Sequence, residues 1–479
     1  MKKKQDSRRA FLKNTALLSA ASAFPAVFTH ASTQAAKGTR TIRAGEKVNL
    51  ACIGIGNQGG SDVYSFSKTG LANFVAFCDV DMGGPQTQKV LKDFPDVPRF
   101  QDFRTMFDKM GSQIDAVAIG VPDHSHFPIT MMALALGKHV YVEKPMARTF
   151  HEVELMMKAA KKHSKCVTQM GNQGHSEGNY FQFKAWKEAG IIKDVTRITA
   201  HMNSARRWHG WNPAITSFPA AEPIPSTLDW DIWLGVTQQH DYQKDFVNGQ
   251  WRCWYDFGMG ALGDWGAHLI DTAHEFLELG LPTEVTLLKG EGHNSFFYPQ
   301  TSTILFRFPE RKNMPAVDLT WYDGVNNYPP LPEGFGNSAL DPNIPPPSNG
   351  KIAPSRLNPG KIIYGKDLTF KGGSHGSTLS IIPEQKAKDM ASMLPVVPES
   401  PSNHYANFLK ACKGEEATRS PFHIAGPLSQ VFCLGVLAQK LNTHLLFNPK
   451  SKTITNNSMA NEMLTGIPPR KGWEQYYKV

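Results

Sequence analysis

Val48-Asn49-Leu50-Ala51-Cys52-Ile53 runs directly into Gly54-Ile55-Gly56-Asn57-Gln58-Gly59, and these two stretches decide the fold. The first is apolar enough for a buried strand, and the second has the pattern G-x-G-x-x-G. Residues 61–69 can form a helix, and residues 74–79 form a second predicted strand that ends in an acidic residue. A strand, a glycine-rich turn, a helix and an acid in this order predict a dinucleotide-binding βαβ unit.

Each glycine of this turn has a separate physical role. Gly54 makes the tight turn, Gly56 lets the backbone approach a pyrophosphate, and Gly59 lets the helix pack on the strand. The N-terminus of the helix then faces the phosphates. The predicted cofactor-binding turn comprises Gly54, Ile55, Gly56, Asn57, Gln58 and Gly59.

The acid at the end of the second strand indicates which dinucleotide binds. Asp79 can accept hydrogen bonds from both ribose hydroxyls, and its charge would repel a 2′-phosphate. No arginine follows it in Val80-Asp81-Met82 to favour that phosphate. We therefore predict NAD rather than NADP as the cofactor.

Strands and helices continue to alternate up to residue 171, which predicts a doubly wound parallel sheet of six strands over residues 46–171. Further strands are predicted at 114–119, 139–142 and 166–170, and helices at 103–110, 125–136 and 150–163. The helix at 125–136 has an amphipathic pattern, and Asp102 is a predicted N-cap.

A lysine follows the strand at 139–142, in the sequence Tyr141-Val142-Glu143-Lys144-Pro145. Ligands of open α/β sheets bind at the carboxyl ends of the strands, so Lys144 is expected to face the cofactor. There it could hydrogen-bond a substrate oxygen and stabilise alkoxide character as hydride leaves the carbon. Glu143 is expected to orient the lysine or the cofactor ribose. The alternative is a solvated lysine that pairs only with Glu143.

Four motifs follow one another along the chain: Gly54-x-Gly56-x-x-Gly59, Val121-Pro122-Asp123-His124-Ser125-His126, Glu143-Lys144-Pro145 and Gly263-Asp264-Trp265-Gly266-Ala267-His268-Leu269-Ile270-Asp271. Together they resemble the glucose-fructose oxidoreductase / inositol dehydrogenase / MocA (Gfo/Idh/MocA) family. The resemblance implies a Rossmann domain followed by an α/β domain with an open, largely antiparallel sheet. That sheet carries a sugar or polyol site and often an oligomer interface, so a homo-oligomer, dimer or tetramer, is expected.

The resemblance also implies roles for individual residues. Lys144 matches the family lysine near the nicotinamide and the reacting hydroxyl. Asp264 and His268 match the pair that binds substrate and supplies a proton acceptor. Pro122 and His126 match the turn beside the nicotinamide ribose, and the residue after Pro122 is Asp where the family commonly has Asn.

The residue spacing of the last motif is informative even without the family resemblance. If a helix runs from Asp264 to residue 279, then residues 264, 268 and 271 lie on one face. The Asp264 carboxylate could then hold the His268 ring and raise its basicity, while the helix N-terminus would favour the neutral imidazole that a base needs. Taken alone, His268 would more often be an ordinary core or surface histidine.

The region after residue 171 also contains residues suited to sugar recognition. Eight of the ten tryptophans lie between residues 208 and 321, and aromatic faces suit the C–H faces of pyranose rings. Most tryptophans are core residues, so two or three are expected at a site. The predicted substrate-binding residues are Asn172, His175, Trp208, Trp254 and Trp265. No convincing set of metal ligands accompanies them, and no metal is predicted.

The first 36 residues predict an export signal rather than part of the fold. Ser7-Arg8-Arg9-Ala10-Phe11-Leu12-Lys13 is a twin-arginine pattern, and residues 15–27 are a weakly apolar run too short for a permanent membrane span. The expected location is the periplasm. Residues 1–36 hold six basic residues and one acidic residue, so they carry more than half of the net charge of +9. The remainder gives little reason to expect nucleic acid or a membrane surface as a partner.

The substrate-binding domain is predicted over residues 172–455, with a Pro/Gly-rich insertion at 325–400 and a tail at 456–479. The whole pattern predicts an exported enzyme that oxidises a secondary hydroxyl of a sugar or glycoside, with C3 as a candidate position, by hydride transfer to tightly bound NAD. A first alternative is an NAD-dependent glycoside hydrolase that works by transient oxidation and elimination. A second is a sugar-binding protein without catalysis.

Overall fold

The computed structural model describes residues 39–43, 45–202, 212–247, 249–324, 326–335 and 357–479, so the predicted export signal lies outside the described residues. Its first sheet has six parallel strands in the order β3-β2-β1-β4-β5-β6. These strands are β1 (Val48–Ile53), β2 (Ala72–Cys78), β3 (Arg99–Phe100), β4 (Ala116–Ile119), β5 (His139–Val142) and β6 (Thr168–Met170). The predicted doubly wound sheet is confirmed.

Five helices connect these strands. They are α1 (Asn57–Lys68), α2 (Pro85–Asp93), α3 (Phe103–Met110), α4 (Asp123–Ala135) and α5 (Phe150–Lys162). Asp102 caps α3, since its carboxylate accepts a hydrogen bond from the Arg104 N–H at 2.8 Å. Helix α4 was expected to be amphipathic, but it is not. Twelve of its thirteen residues are buried, so it has no solvent-exposed face.

The second sheet has nine strands in the order β13-β12-β11-β7-β10-β9-β8-β14-β15. Its strands are β7 (Arg197–Met202), β8 (Glu284–Glu291), β9 (Thr301–Phe308), β10 (Val317–Asp323), β11 (Gly360–Tyr364), β12 (Thr369–Gly372), β13 (Leu379–Ile382), β14 (His444–Asn448) and β15 (Thr453–Ile454). Strands β7 and β10 pair in parallel, and the other described pairs are antiparallel. The expected open, largely antiparallel sheet is confirmed, and β11 to β13 lie within the segment predicted as an insertion.

Eight further helices accompany this sheet in the described residues. They are α6 (Gly178–Glu188), α7 (Trp230–Leu234), α8 (Gly260–Leu269), α9 (Asp271–Phe276), α10 (Glu384–Met390), α11 (His404–Cys412), α12 (Phe422–Leu441) and α13 (Ser458–Met463). Among the described helices, α12 alone has the length and apolar composition of a membrane span, and 72% of its apolar window is buried inside the protein. It is a core helix that packs against α5, α8 and β8.

The C-terminal part of the chain returns to the first domain. Phe408 of α11 is fully buried in the cluster on one face of the first sheet, where its ring lies 5.7 Å from that of Tyr141 and 6.2 Å from that of Phe66. On the other side, Trp473 lies 6.1 Å from Phe103. The predicted tail is therefore part of the packing of the dinucleotide-binding domain.

This return of the chain generates a stability prediction. Replacing Phe408 with Ala should lower the free energy of unfolding by about 3–5 kcal/mol, because a large buried ring is lost and a cavity remains. The matched control is Met459→Ala, at a side chain that is 59% exposed, which should stay within about 0.5 kcal/mol of wild type. Urea unfolding of the three proteins measures both values. Equal midpoints for all three would show that α11 is not part of this core.

Candidate active site

A cleft of about 680 Å³ runs between the two domains at the carboxyl ends of β1, β2, β4 and β5. From the first domain it is lined by residues that include Gly54, Gly56, Asn57, Gln58, Asp79, Pro122, Glu143 and Lys144. From the second domain it is lined by residues that include Trp233, Trp251, Arg252, Asp264, Trp265, His268 and His375. The topology thus brings the predicted cofactor turn and the predicted catalytic residues to one place.

The glycine turn has the geometry that a dinucleotide requires. Gly54 has a φ of +76°, and a Cβ on Gly59 would lie 2.0 Å from the Gly54 carbonyl oxygen, so α1 packs on the turn only with glycine there. Asp79 accepts hydrogen bonds from the backbone N–H groups of Ile55 and Gly56 at 2.8 and 3.2 Å. The carboxylate at the end of β2 is therefore held against the turn, where a ribose would lie beside it. Ile55 itself is buried in the core and contributes only its backbone.

A segment of the second domain crosses the ribose end of the cleft. Leu228 forms an antiparallel bridge with Asp81, and Pro225 and Leu228 both line the cleft. The Asp229 N–H donates to the Val80 oxygen at 2.8 Å, and the Thr227 hydroxyl donates to the Asp81 carboxylate at 2.8 Å. We call residues 225–229 the strap. It closes over the loop that follows Asp79.

Lys144 lies just after β5 and is buried. Its Nζ donates to the main-chain oxygen of Asp264 at 2.8 Å and to the carboxylate Oδ1 at 2.9 Å. Arg252 approaches the same Oδ1, with its Nη1 at 3.2 Å. Among the described residues, Asp264 thus contacts two cations and positions Lys144. Its charge raises the pKa of His268, as expected, but Nδ1 of His268 has no hydrogen-bond partner in the described part of the chain, so the expected orienting hydrogen bond at that nitrogen is not formed.

His268 lies near the end of α8, not in its first turn, because α8 begins at Gly260 and a second helix starts at Asp271. The single helix expected from residue 264 to 279 is thus wrong, and so is the argument from a helix N-terminus. The pKa of His268 is nevertheless well below its usual value, because burial opposes the charge and Lys144 and the neighbouring His375 add to that effect. The imidazole is neutral and can accept a proton.

Arg252 is a site residue that the sequence argument missed. It lies in a short 3₁₀ helix, Gln250–Cys253, with Asp264 on one side and Asp123 on the other, at 3.5 Å between Nη2 and Oδ1. Burial raises the pKa of Asp123 to about 6, although Arg252 opposes this rise. The available signal was Asp123 itself, an acid where the family commonly has Asn, since a buried acid needs a cation nearby.

Glu143 lines the cleft beside Lys144, and hydrogen bonds hold its carboxylate in place. Its Oε1 accepts a hydrogen bond from Gln173 Nε2 at 2.9 Å, and its Oε2 accepts from the Lys144 N–H at 3.3 Å. Burial raises the pKa of Glu143, and Lys144 opposes the rise. Tyr405 of α11 contacts Gln173 at 3.2 Å, so the returning C-terminal chain also supports this side of the site.

Pro122 lines the cleft, but His126 does not. The His126 ring is buried, with Nδ1 2.7 Å from the Pro145 oxygen and Nε2 2.9 Å from the Val121 oxygen. Burial lowers the pKa of His126 to about 4, so one ring nitrogen carries the proton and donates to a carbonyl. The expected contact with the cofactor is therefore corrected. His126 ties the turn at Pro122 to the segment after Lys144.

Asn172 and His175 also lie away from the cleft, which corrects a second expectation. His175 Nδ1 is 3.0 Å from the Asp271 carboxylate, its Nε2 contacts Glu275, and Asn172 Nδ2 is 3.4 Å from Asp271. His175 and Asn172 are thus held in a buried cluster with Asp271 and Glu275 of α9. The pairing matters because an unpaired charge at a buried position would be unstable. Gln173, between the two, is the residue of this segment that lines the cleft.

The tryptophans divide between the core and the cleft. Trp254 is fully buried among aromatic rings and does not line the cleft, which corrects its predicted role. Trp265 lines the cleft as expected, together with Trp233 and Trp251. Trp208 lies outside the described residues. No cluster of three or more metal-ligand side chains occurs in the described part of the chain.

Comparison with known protein families identifies the chain. Residues 48–170 match the model of an oxidoreductase family with an NAD-binding Rossmann fold, and residues 183–288 match the model of that family's C-terminal alpha/beta domain. These two regions are the two domains of the Gfo/Idh/MocA oxidoreductase family. The first domain of the chain is thus an NAD-binding Rossmann domain, and the turn and Asp79 carry the geometry for NAD.

Individual relatives resemble only part of the chain. Glycosyl hydrolase family 109 protein 2 of Shewanella sp. (strain ANA-3) is 30% identical over 164 residues, which are 30% of this chain and 35% of that protein. Inositol 2-dehydrogenase/D-chiro-inositol 3-dehydrogenase of Lactiplantibacillus plantarum is 27% identical over 189 residues, 39% of this chain and 51% of that protein. The chain thus spans about a third to a half of the length of these relatives.

A solved structure supports the whole fold. The WlbA dehydrogenase from Chromobacterium violaceum, in complex with NADH and UDP-GlcNAcA, has a TM-score of 0.55 at 13% identity. The match covers 85% of this chain and 97% of that one. At this identity the similarity establishes the fold alone.

The buried His175 cluster predicts a pH dependence of stability. Burial opposes the charge on His175, but its hydrogen bonds to Asp271 and Glu275 outweigh burial and raise the pKa to about 9. Because the folded pKa exceeds the unfolded value, the stabilisation is complete below about pH 6.5 and is lost as pH rises through 9. His175→Gln should therefore lower the free energy of unfolding at pH 6, by on the order of 3 kcal/mol, and by much less above pH 9.

Urea unfolding at pH 6, 7.5 and 9 measures this difference. The matched control is His423→Gln, at an exposed position on α12, which should show no such trend. A His175→Gln deficit that is the same at all three pH values would contradict the charged cluster.

Proposed function

We propose that this protein is an NAD-dependent oxidoreductase that removes hydride from a secondary hydroxyl-bearing carbon of a sugar or glycoside. The main support for the proposal is that Lys144, Asp264 and His268 lie together in the cleft that the glycine turn also lines. Family membership and the inositol dehydrogenase relative support a polyol or sugar substrate. C3 of a pyranose, which would give a 3-keto sugar, is our preferred position.

Each residue has a defined task in this proposal. Neutral His268 accepts the hydroxyl proton, and Lys144 stabilises the negative charge that develops on the substrate oxygen. Asp264 holds the Lys144 ammonium in place, and Arg252 contacts the same carboxylate. NAD, when bound, supplies the hydride acceptor. Trp251 and Trp265 offer aromatic walls for a sugar ring.

The ribose end of the cleft favours NAD over NADP. Asp79 and Asp81 both line it, and two acidic side chains there would repel a 2′-phosphate. The strap supports retention of the cofactor, since it crosses this end with backbone and side-chain hydrogen bonds. A retained cofactor must be reoxidised in place, so a keto sugar or a similar acceptor would complete the cycle.

An NAD-dependent glycoside hydrolase is the second candidate. The glycosyl hydrolase family 109 relative favours it, because transient oxidation at C3 would acidify the neighbouring C–H and allow elimination of the aglycone. A sugar-binding protein without catalysis is disfavoured by the complete set of Lys144, Asp264 and His268.

We further propose that the protein is exported by the twin-arginine route to the periplasm and assembles as a homo-oligomer. The sequence of residues 7–13 supports export. Six buried free cysteines, with no disulfide in the described residues, suit a protein that folds before export. The wide second sheet offers the surface for a subunit contact.

A small panel of alkyl and aryl glycosides tests the reaction. Mass spectrometry of the panel after incubation with the purified protein should find a product lighter by two hydrogens, with the glycosidic bond intact. Release of aglycone without a keto sugar would favour the hydrolase. No change in any glycoside or in the cofactor absorbance would favour sugar binding alone.

Lys144→Ala tests the proposed centre. Loss of the ammonium should reduce kcat by about 10²–10³-fold, because one preorganised donor to the developing alkoxide is removed. NAD should remain bound, since the turn and Asp79 are unchanged. The matched control is Lys138→Ala, at the other end of β5, where the ammonium contacts only the Ile114 oxygen among described partners, at 2.8 Å. Turnover of Lys144→Ala equal to that of the control would show that the centre lies elsewhere.

A further inference from the structure

The loop between β12 and β13 places a second imidazole against His268. The rings of His375 and His268 are stacked, with centroids 4.0 Å apart and planes inclined by 21°. Trp265 meets both rings edge-on, at 5.1 Å from His375 and 5.9 Å from His268. All three rings line the cleft. Residue 375 lies well beyond residue 288, where the match to the family's C-terminal domain ends.

This loop is firmly anchored. The His375 N–H donates to the main-chain oxygen of His268 at 3.2 Å, and the Asn179 N–H donates to the Gly376 oxygen at 2.9 Å. A Cβ on Gly174 would lie 2.8 Å from the Gly376 nitrogen, so the loop and the segment at 174 touch backbone to backbone. His375 has a φ of +51°, a left-handed conformation that non-glycine residues rarely adopt. These contacts fix the backbone at His375, and the Nδ1 of its exposed ring lies 2.9 Å from the Ser374 hydroxyl oxygen.

The His268 ring lacks the usual means of orientation. A catalytic imidazole is normally fixed by a hydrogen bond from its second nitrogen. In the described part of the chain, Nδ1 of His268 is buried without a hydrogen-bond partner. The face of the ring that His375 covers is therefore the contact that can fix it. We propose that His375 is a positioning residue that holds the ring of His268 by stacking on it.

The proposal rests on the proposed function in one respect, that His268 is the base. The charges around His268 agree with it. Lys144 and Arg252 face the ring as cations, Asp264 faces it as an anion, and His375 covers it. A protonated His268 would be buried against His375 and two cations, so the stack favours the neutral form that accepts a proton.

Two variants distinguish the effect of the planar His375 ring from the effect of the volume that its side chain fills. His375→Leu fills the space without a planar ring, and His375→Phe keeps a ring that can stack. His423→Leu, at an exposed position on α12, is the control for loss of a histidine. Crystal structures of the full-length variants with NAD give the orientation of His268. Titration of the imidazoles in ¹⁵N-histidine-labelled protein gives its pKa, with the signal assigned by its loss in His268→Asn.

In His375→Leu we expect the His268 ring to rotate or to occupy more than one orientation. Its titration midpoint should rise, because the ring gains solvent and loses the neighbouring imidazole. His375→Phe should keep a single orientation, and the control should match wild type in both measurements. A His268 ring that keeps its wild-type orientation in His375→Leu would overturn the proposal, whatever its midpoint. Neither measurement needs a substrate, so failure to oxidise any sugar would leave this result unaffected.

Discussion

The buried ion pair between Lys144 and Asp264 is the interaction on which the site depends. Lys144 comes from the end of a strand in the first domain and Asp264 from a helix of the second, so their 2.9 Å contact joins the domains at the cleft. A buried ammonium is stable only with a close carboxylate and further hydrogen bonds, and the main-chain oxygen of Asp264 provides one more. The same ammonium helps to keep His268 neutral. In the proposed reaction, this one pair would position the donor to the substrate oxygen and help to keep the proton acceptor neutral.

The rest of the fold holds the two halves of the cleft together. The strap joins the second domain to the loop after Asp79, and Tyr405 and Phe408 of α11 pack behind Glu143 and the first sheet. Helix α12 runs through the shared core and contacts helices of both domains. The two domains are consequently joined at several separate places. This arrangement suits a cofactor that stays in place while substrates exchange.

Local patterns predicted the first domain and the meeting of Lys144, Asp264 and His268 because each rests on short-range chemistry. The glycine turn, the acid at the end of β2, Lys144 after β5 and the Asp264/His268 motif all carry their meaning in a few adjacent residues. Partners that are distant in sequence were not predictable in this way. Arg252, the strap and His375 reach the cleft only through the topology of the second sheet, and Trp254 could not be distinguished from Trp251 by composition. The family resemblance predicts His126 at the cleft, and the position after the last strand of the first domain predicts His175 there. Neither argument shows which way a side chain points.

The most direct test of the account is to follow the hydride. A glycoside that the protein turns over is prepared with deuterium on the carbon that is oxidised and is mixed in a single turnover with the NAD-loaded protein. Mass spectrometry of the protein-bound dinucleotide should then detect one deuterium, in an amount that matches the keto sugar formed. A dinucleotide that remains fully protiated while product appears would contradict hydride transfer in this cleft.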